Sequence, residues 1–192
     1  MQPNTDKIEL YNQLVEGCRN NDRISQRNLY QLLSAKMFAV CMRYAKDREA
    51  AEDILQEGWV KVFKNIVKYR GDGSFEGWVR RIFVNTAVEH YRKEAKMITV
   101  SEESDAHFVI HEDVSDDLEL EDLMKCIQSL SSGYRTVFNL YVVEGYSHKE
   151  IAEKLQISEG TSKSQLARAR YLLQKMIINT NKFKTEDVTL YK

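Results

Sequence analysis

Pro3 is the only proline in a chain of 192 residues. Beyond it no residue lacks the amide hydrogen that a helix ladder requires, and only eight glycines punctuate the rest. Leu29, Leu33, Met37, Val40 and Tyr44 recur at steps of four and three, the period of an amphipathic helix. Ala51, Ile54, Leu55, Val62, Phe63 and Ile66 form a second such face across residues 48–67. No segment alternates convincingly as a strand does, so an all-α fold is expected. The 43% hydrophobic content supplies cores, and the 30% charged content covers much exposed helix surface.

The run Tyr69-Arg70-Gly71-Asp72-Gly73-Ser74 breaks the second helix, because two glycines and an Asp favour a turn. Ser74 is placed to cap a third helix from Phe75 to Lys93, with Trp78, Ile82, Phe83 and Ala87 at core positions. Residues 97–117 then lose the period and gain charge. Between Ser101 and Leu123 stand ten acidic residues and no Lys or Arg, which leaves 28 basic against 19 acidic residues elsewhere. The net charge of −1 therefore conceals two basic blocks joined by an acidic strip. Such blocks suit an anionic partner. The expected architecture is two small helical domains, residues 1–97 and 118–192, joined by a flexible acidic linker over residues 98–117.

The second block carries the more specific pattern. Leu123, Ile127 and Leu130 mark one helix, and Val137, Phe138, Leu140 and Tyr141 mark another that Gly145 ends. Ser147 and Glu150 have the capping-box spacing that opens a short helix with Ile151, Ala152 and Leu155 on its apolar side. A turn at Gln156-Ile157-Ser158 leads into a longer basic helix through Gln174. Together these make a helix-turn-helix, although Gln156 stands where such turns often have Gly and Ser162 where a buried aliphatic is frequent. The second helix presents Thr161, Lys163, Ser164, Gln165, Arg168 and Arg170. Ser158 and Thr161, near its N-terminus, suit phosphates. Gln165 and Arg168, three apart, suit base edges in a major groove. Lys163 and Arg170 suit phosphates, which position without specifying.

These residues also carry a resemblance. The segments Tyr134-Arg135-Thr136-Val137-Phe138, Glu144 to Ala152 and Gly160-Thr161-Ser162-Lys163-Ser164 resemble the promoter-reading C-terminal domain of bacterial RNA polymerase sigma factors, in particular the extracytoplasmic-function class. Arg43-Tyr44 with Asp47, and Ala51-Glu52-Asp53-Ile54 with Gln56-Glu57, resemble that family's polymerase-binding helix. Gly77-Trp78-Val79-Arg80-Arg81-Ile82, Asn85 and Tyr91-Arg92-Lys93 resemble the element that reads and melts the downstream promoter element. The matches run in family order from about Leu29 to Leu173. Ser131 and Glu89 replace the Pro and Asp common there, which bears on promoter preference rather than on class.

The resemblance implies a sigma factor that binds core RNA polymerase, reads the −35 and −10 elements of promoter DNA and helps to melt it. Asp53, Gln56 and Glu57 would face the polymerase clamp; the spacing alone favours a solvated acidic face with a Glu57–Lys61 pair, and the Asp53-Ile54-Leu55-Gln56-Glu57 context reverses that. Arg80, Arg81, Asn85, Arg92 and Lys93 would grip the opened strand beside a base pocket formed in part by residues 69–75. An anti-sigma protein is the implied regulator.

Other function classes fit less well. Cys18, Cys41 and Cys126 lack zinc or redox spacing and read as buried small hydrophobes. His107 and His111 make only a weak metal spacing, and no phosphate loop or nucleophile motif exists, so neither catalysis nor a metal or cofactor is expected. A stand-alone helix-turn-helix regulator would leave the first block unused, and a pure interaction protein would leave both basic faces unused. No eighteen-residue apolar run and no signal-peptide core occurs, so membrane insertion is not expected and the chain reads as cytoplasmic.

Overall fold

The computed structural model describes residues 3–98 and 120–187. Among these the chain is all-α, as expected, with eight helices and no strand. They are α1 (Pro3–Arg19), α2 (Arg23–Tyr44), α3 (Arg48–Asn65), α4 (Phe75–Ile98), α5 (Leu120–Ser129), α6 (Ser132–Phe138), α7 (His148–Leu155) and α8 (Glu159–Asp187). A 3-10 turn, Ile66–Lys68, extends α3, and a π-helical turn, Asn139–Val143, extends α6. The acidic linker lies outside the described residues apart from Ile98, which closes α4.

Two compact units form. The first takes the chain up to Cys41 together with Arg48–Ala87. Its core is the apolar stripe read from the sequence, Leu29, Leu33, Met37 and Val40 of α2 with Ala51, Ile54 and Val62 of α3. Trp59, Phe75, Val79 and Phe83 complete it. Helices α3 and α4 approach so closely at Gly58 that a β-carbon there would collide with the Phe83 ring, so glycine is required by space rather than by conformation. The pattern left α1 unmarked, yet Tyr11, Leu14, Val15 and Cys18 are buried at helical spacing.

Glu76, in the first turn of α4, fastens this helix bundle. Its carboxylate accepts hydrogen bonds from Lys36 of α2 at 2.9 Å and from Lys7 and Tyr11 of α1 at 3.2 Å each. Hydrogen bonding from Lys36, and then Lys7, holds the carboxyl below its ordinary range against the opposing effect of burial. Burial, reinforced by Glu76, pushes the Tyr11 hydroxyl up to about 12.

The second unit comprises Met42–Asp47 and the chain from Val88 onward. Ile127, Leu130, Ala169 and Leu173 form a buried cluster, with Cys126, Tyr134 and Phe138 packed against it. Arg135 is buried but fully employed. It donates to the carbonyls of Gln128 (2.7 Å), Leu130 (2.8 Å) and Tyr44 (2.9 Å), which ends α5 and ties it to the last residue of α2. Asn139, one turn on, donates to the Arg43 and Arg135 carbonyls at 2.7 and 2.9 Å. Cys18 and Cys41 are buried thiols as expected, whereas Cys126 is half-buried.

Candidate nucleic-acid interface

Helix α7 begins with the capping box read from the sequence. The Ser147 amide donates to the Glu150 carboxylate at 2.8 Å, and the Glu150 amide donates to Ser147 Oγ at 3.3 Å. Ile151, Ala152 and Leu155 are buried. The turn after α7 needs a left-handed residue. Gln156 supplies it at φ 58° and ψ 43° instead of glycine. Ser158 then caps α8: its Oγ accepts from the Thr161 amide at 2.9 Å and shares a hydrogen bond with Thr161 Oγ1 at 2.8 Å.

On α8 the buried residues Ser162, Leu166, Ala169 and Leu173 recur at steps of four, three and four. Lys163, Ser164, Arg168 and Arg170 are exposed on the remaining face. Lys163 lies 3.9 Å from Glu159, a solvated pair that holds it weakly. The Ser164 hydroxyl donates to the Thr161 carbonyl at 3.0 Å. The Arg168 guanidinium lies over the Tyr171 ring, 5.5 Å from its centroid, and Lys175 lies 5.9 Å from the same ring. Arg170 lies 5.6 Å from the centroid of Tyr141.

Gln165 is placed differently from Arg168. Its amide group packs against α6, with Nε2 3.2 Å from where a β-carbon on Gly133 would stand. Its Oε1 is buried and finds no hydrogen-bond partner among the described residues. Of the two residues assigned to base edges, Arg168 is the one that stands in solvent. Tyr171 was missed by sequence reasoning, although its spacing of three from Arg168 and four from Lys175 is the signal that would have found it.

The downstream candidates lie along α4. Arg81, Asn85 and Arg92 fall at steps of four and seven, one stripe of a helix. Arg81 and Lys93 are exposed, and Arg80, Asn85 and Arg92 are half-buried. Arg92 donates to the Glu153 carbonyl of α7 at 3.4 Å. The loop before α4 is organised by aromatic rings. Tyr69 and Phe75 meet edge-on at 5.0 Å, Phe75 and Trp78 stack at 5.7 Å, and Tyr11 lies 5.5 Å from Phe75. Gly71 and Gly73 take φ values of 84° and 85°, and the Tyr69 hydroxyl donates to the Gly73 carbonyl at 2.9 Å. Phe75 is thus core and Trp78 half-buried, while residues 70–74 are exposed. Ser74 caps α4, accepting from the Gly77 amide at 3.3 Å.

The polymerase-facing candidates share α3. Asp53 and Gln56 are exposed, and Glu57 is half-buried in a 2.7 Å ion pair with Lys61. Among the described residues no cluster of three potential metal ligands exists; His107 and His111 lie outside them. No described helix is long and apolar enough to cross a membrane.

Residues 29–97 match Sigma-70 region 2, and residues 120–173 match Sigma-70, region 4. The RNA polymerase sigma-H factor of Pseudomonas aeruginosa is 29% identical over 178 residues, covering 86% of this chain and 92% of its own. The ECF RNA polymerase sigma factor SigW of Bacillus subtilis is 27% identical, covering 85% and 94%. Among solved structures, the sigma factor RpoE in complex with the anti-sigma factor NepR from Bartonella quintana is 23% identical, with a TM-score of 0.49, covering 79% of this chain and 95% of that one.

Proposed function

The chain belongs to the sigma-70 family, within it to the ECF RNA polymerase sigma factors, and so acts in promoter-specific transcription initiation; on that premise we propose a division of labour among its residues. Residues 1–97 bind core polymerase through Asp53, Gln56 and Glu57, and they read and melt the −10 element through Arg80, Arg81, Asn85, Arg92 and Lys93. Residues 118–192 read the −35 element. There Arg168 contacts a base edge, with Gln165 beside it, while Ser158, Thr161, Lys163, Ser164 and Arg170 hold phosphates. Residues 98–117 serve as the acidic tether, so the polymerase sets the spacing of the two readers and each need bind only modestly by itself. The protein works in the cytoplasm without chemistry of its own, and an anti-sigma protein that masks the polymerase-binding surface is its expected regulator.

One observation carries this reading: α8 separates a buried stripe from an exposed face bearing Lys163, Arg168 and Arg170. In-vitro transcription with bacterial core polymerase, at defined salt on a promoter library, tests it. Protein-dependent transcripts sharing two spaced elements are expected. Arg168→Ala should relax preference at one position by about 1–3 kcal/mol, whereas Lys163→Ala should weaken all sequences alike and flatten the salt dependence. Specific footprinting of the protein without core enzyme would instead favour a stand-alone regulator.

A further inference from the structure

Ser162 is fully buried at the head of an otherwise apolar stripe on α8. A buried hydroxyl there is costly unless it is hydrogen-bonded. Its partner is His148, the first residue of α7, whose Nδ1 lies 2.9 Å from Ser162 Oγ. The imidazole in turn stacks on Tyr141, with centroids 4.6 Å apart and planes at 27°. The same Tyr141 ring faces Arg170 of α8. A continuous chain of contacts therefore leaves α8 at Ser162, crosses the start of α7 and the π-helical turn, and returns to α8 at Arg170. Its two anchor points are eight residues apart, about 12 Å along the helix axis.

This chain closes the open side of the helix-turn-helix. At the turn, the angle between α7 and α8 is fixed by the left-handed Gln156 and the Ser158 cap. Away from the turn, the Ser147–Glu150 capping box fixes the start of α7, and His148 extends from that start to α8. An aliphatic residue at position 162 would fill the space without direction. A hydrogen bond instead constrains distance and angle, so it restricts how far α8 rolls about its own axis. Arg168 and Lys163 turn with that roll.

We propose that His148 and Ser162 form a strut setting the roll of α8, and thereby act as positioning residues that select which upstream promoter sequences α8 prefers. The proposal rests on the reading of α8 as the recognition helix. Neither residue touches DNA in this scheme.

The test uses the full chain assembled with core polymerase on a promoter library randomised in the upstream element. The double variant His148→Leu/Ser162→Val replaces both partners with apolar groups, a change that is close to neutral for folding. It should assemble with core and keep its melting temperature, yet shift the preferred base at one or more positions by about tenfold, the scale of a single base contact. His148→Gln, which retains a side-chain hydrogen-bonding group, should keep the wild-type ranking of sequences better than the double variant does. An unchanged ranking in a folded double variant overturns the proposal. Should the double variant melt early, Ser162→Ala, which removes one oxygen, is held to the same criterion. Arg168→Ala is the control. If it alters the ranking and the strut variants do not, the strut fails while the recognition-helix reading stands. If it too changes nothing, the recognition-helix reading fails and the strut falls with it.

Discussion

At the scale of single residues, the polar groups of the second unit are organised by partners that no linear pattern shows. Arg135 meets carbonyls five, seven and ninety-one positions away. Ser162 meets His148 at a separation of fourteen, which becomes a contact only when two helices cross. The sequence reveals such residues as oddities, a cation or a hydroxyl in an apolar row, without naming what satisfies them. Gln156 is the converse case, because the departure is legible and its cost can be stated. At φ 58° a side chain crowds its own carbonyl, at a cost of about 1 kcal/mol relative to glycine. Gln156→Gly should therefore raise the unfolding free energy by about 1 kcal/mol in urea denaturation. A decrease would mean that the Gln156 side chain makes a contact outweighing its backbone strain.

At the scale of elements, helix positions were legible wherever an apolar stripe meets a polar remainder. The breaks at residues 69–74 and at Gly145 followed from glycine chemistry. Less legible were ends governed by what lies beyond them. Helix α8 continues to Asp187 rather than stopping near Gln174, since no proline or glycine interrupts it. The apolar stripe of α1 was present in the sequence but went unread, and its polar tie to α4 was invisible because Glu76 stands sixty-five residues from Tyr11. The titration of Glu76 gives that attachment a sign. Its folded-state pKa is lowered, so its stabilising effect is fully present above the ordinary carboxylate value and is lost as pH falls through the folded value. Glu76→Gln should therefore lower the melting temperature at pH 7 and flatten its decline between neutral pH and acid. An acid limb as steep as wild type would show that other carboxylates govern it. Tyr11 acts at the opposite extreme: with its pKa raised to about 12, its contribution is present below its ordinary value of 10.0 and is lost as pH rises through about 12.

For the whole molecule, the charge layout was legible in the sequence because it depends on no contact, although only the motifs gave it a partner. On the proposed division of labour, two basic blocks joined by an acidic strip would distribute DNA affinity rather than concentrate it. Replacing the acids of residues 98–117 with Ser should raise binding of the polymerase-free protein to non-specific DNA and steepen its fall with salt, as read by fluorescence anisotropy. An unchanged isotherm would assign the strip no electrostatic role. Where each reader binds weakly, small entropic terms decide occupancy. An arginine that swings in solvent loses its rotamer freedom on meeting a base, at roughly 0.5–1.5 kcal/mol for one flexible side chain. Arg168 rests along the Tyr171 ring, with Lys175 on the same ring. On the proposal that Arg168 meets a base edge, part of that ordering is done before any DNA arrives, and recognition at this position should carry a smaller entropic penalty than an unsupported arginine would.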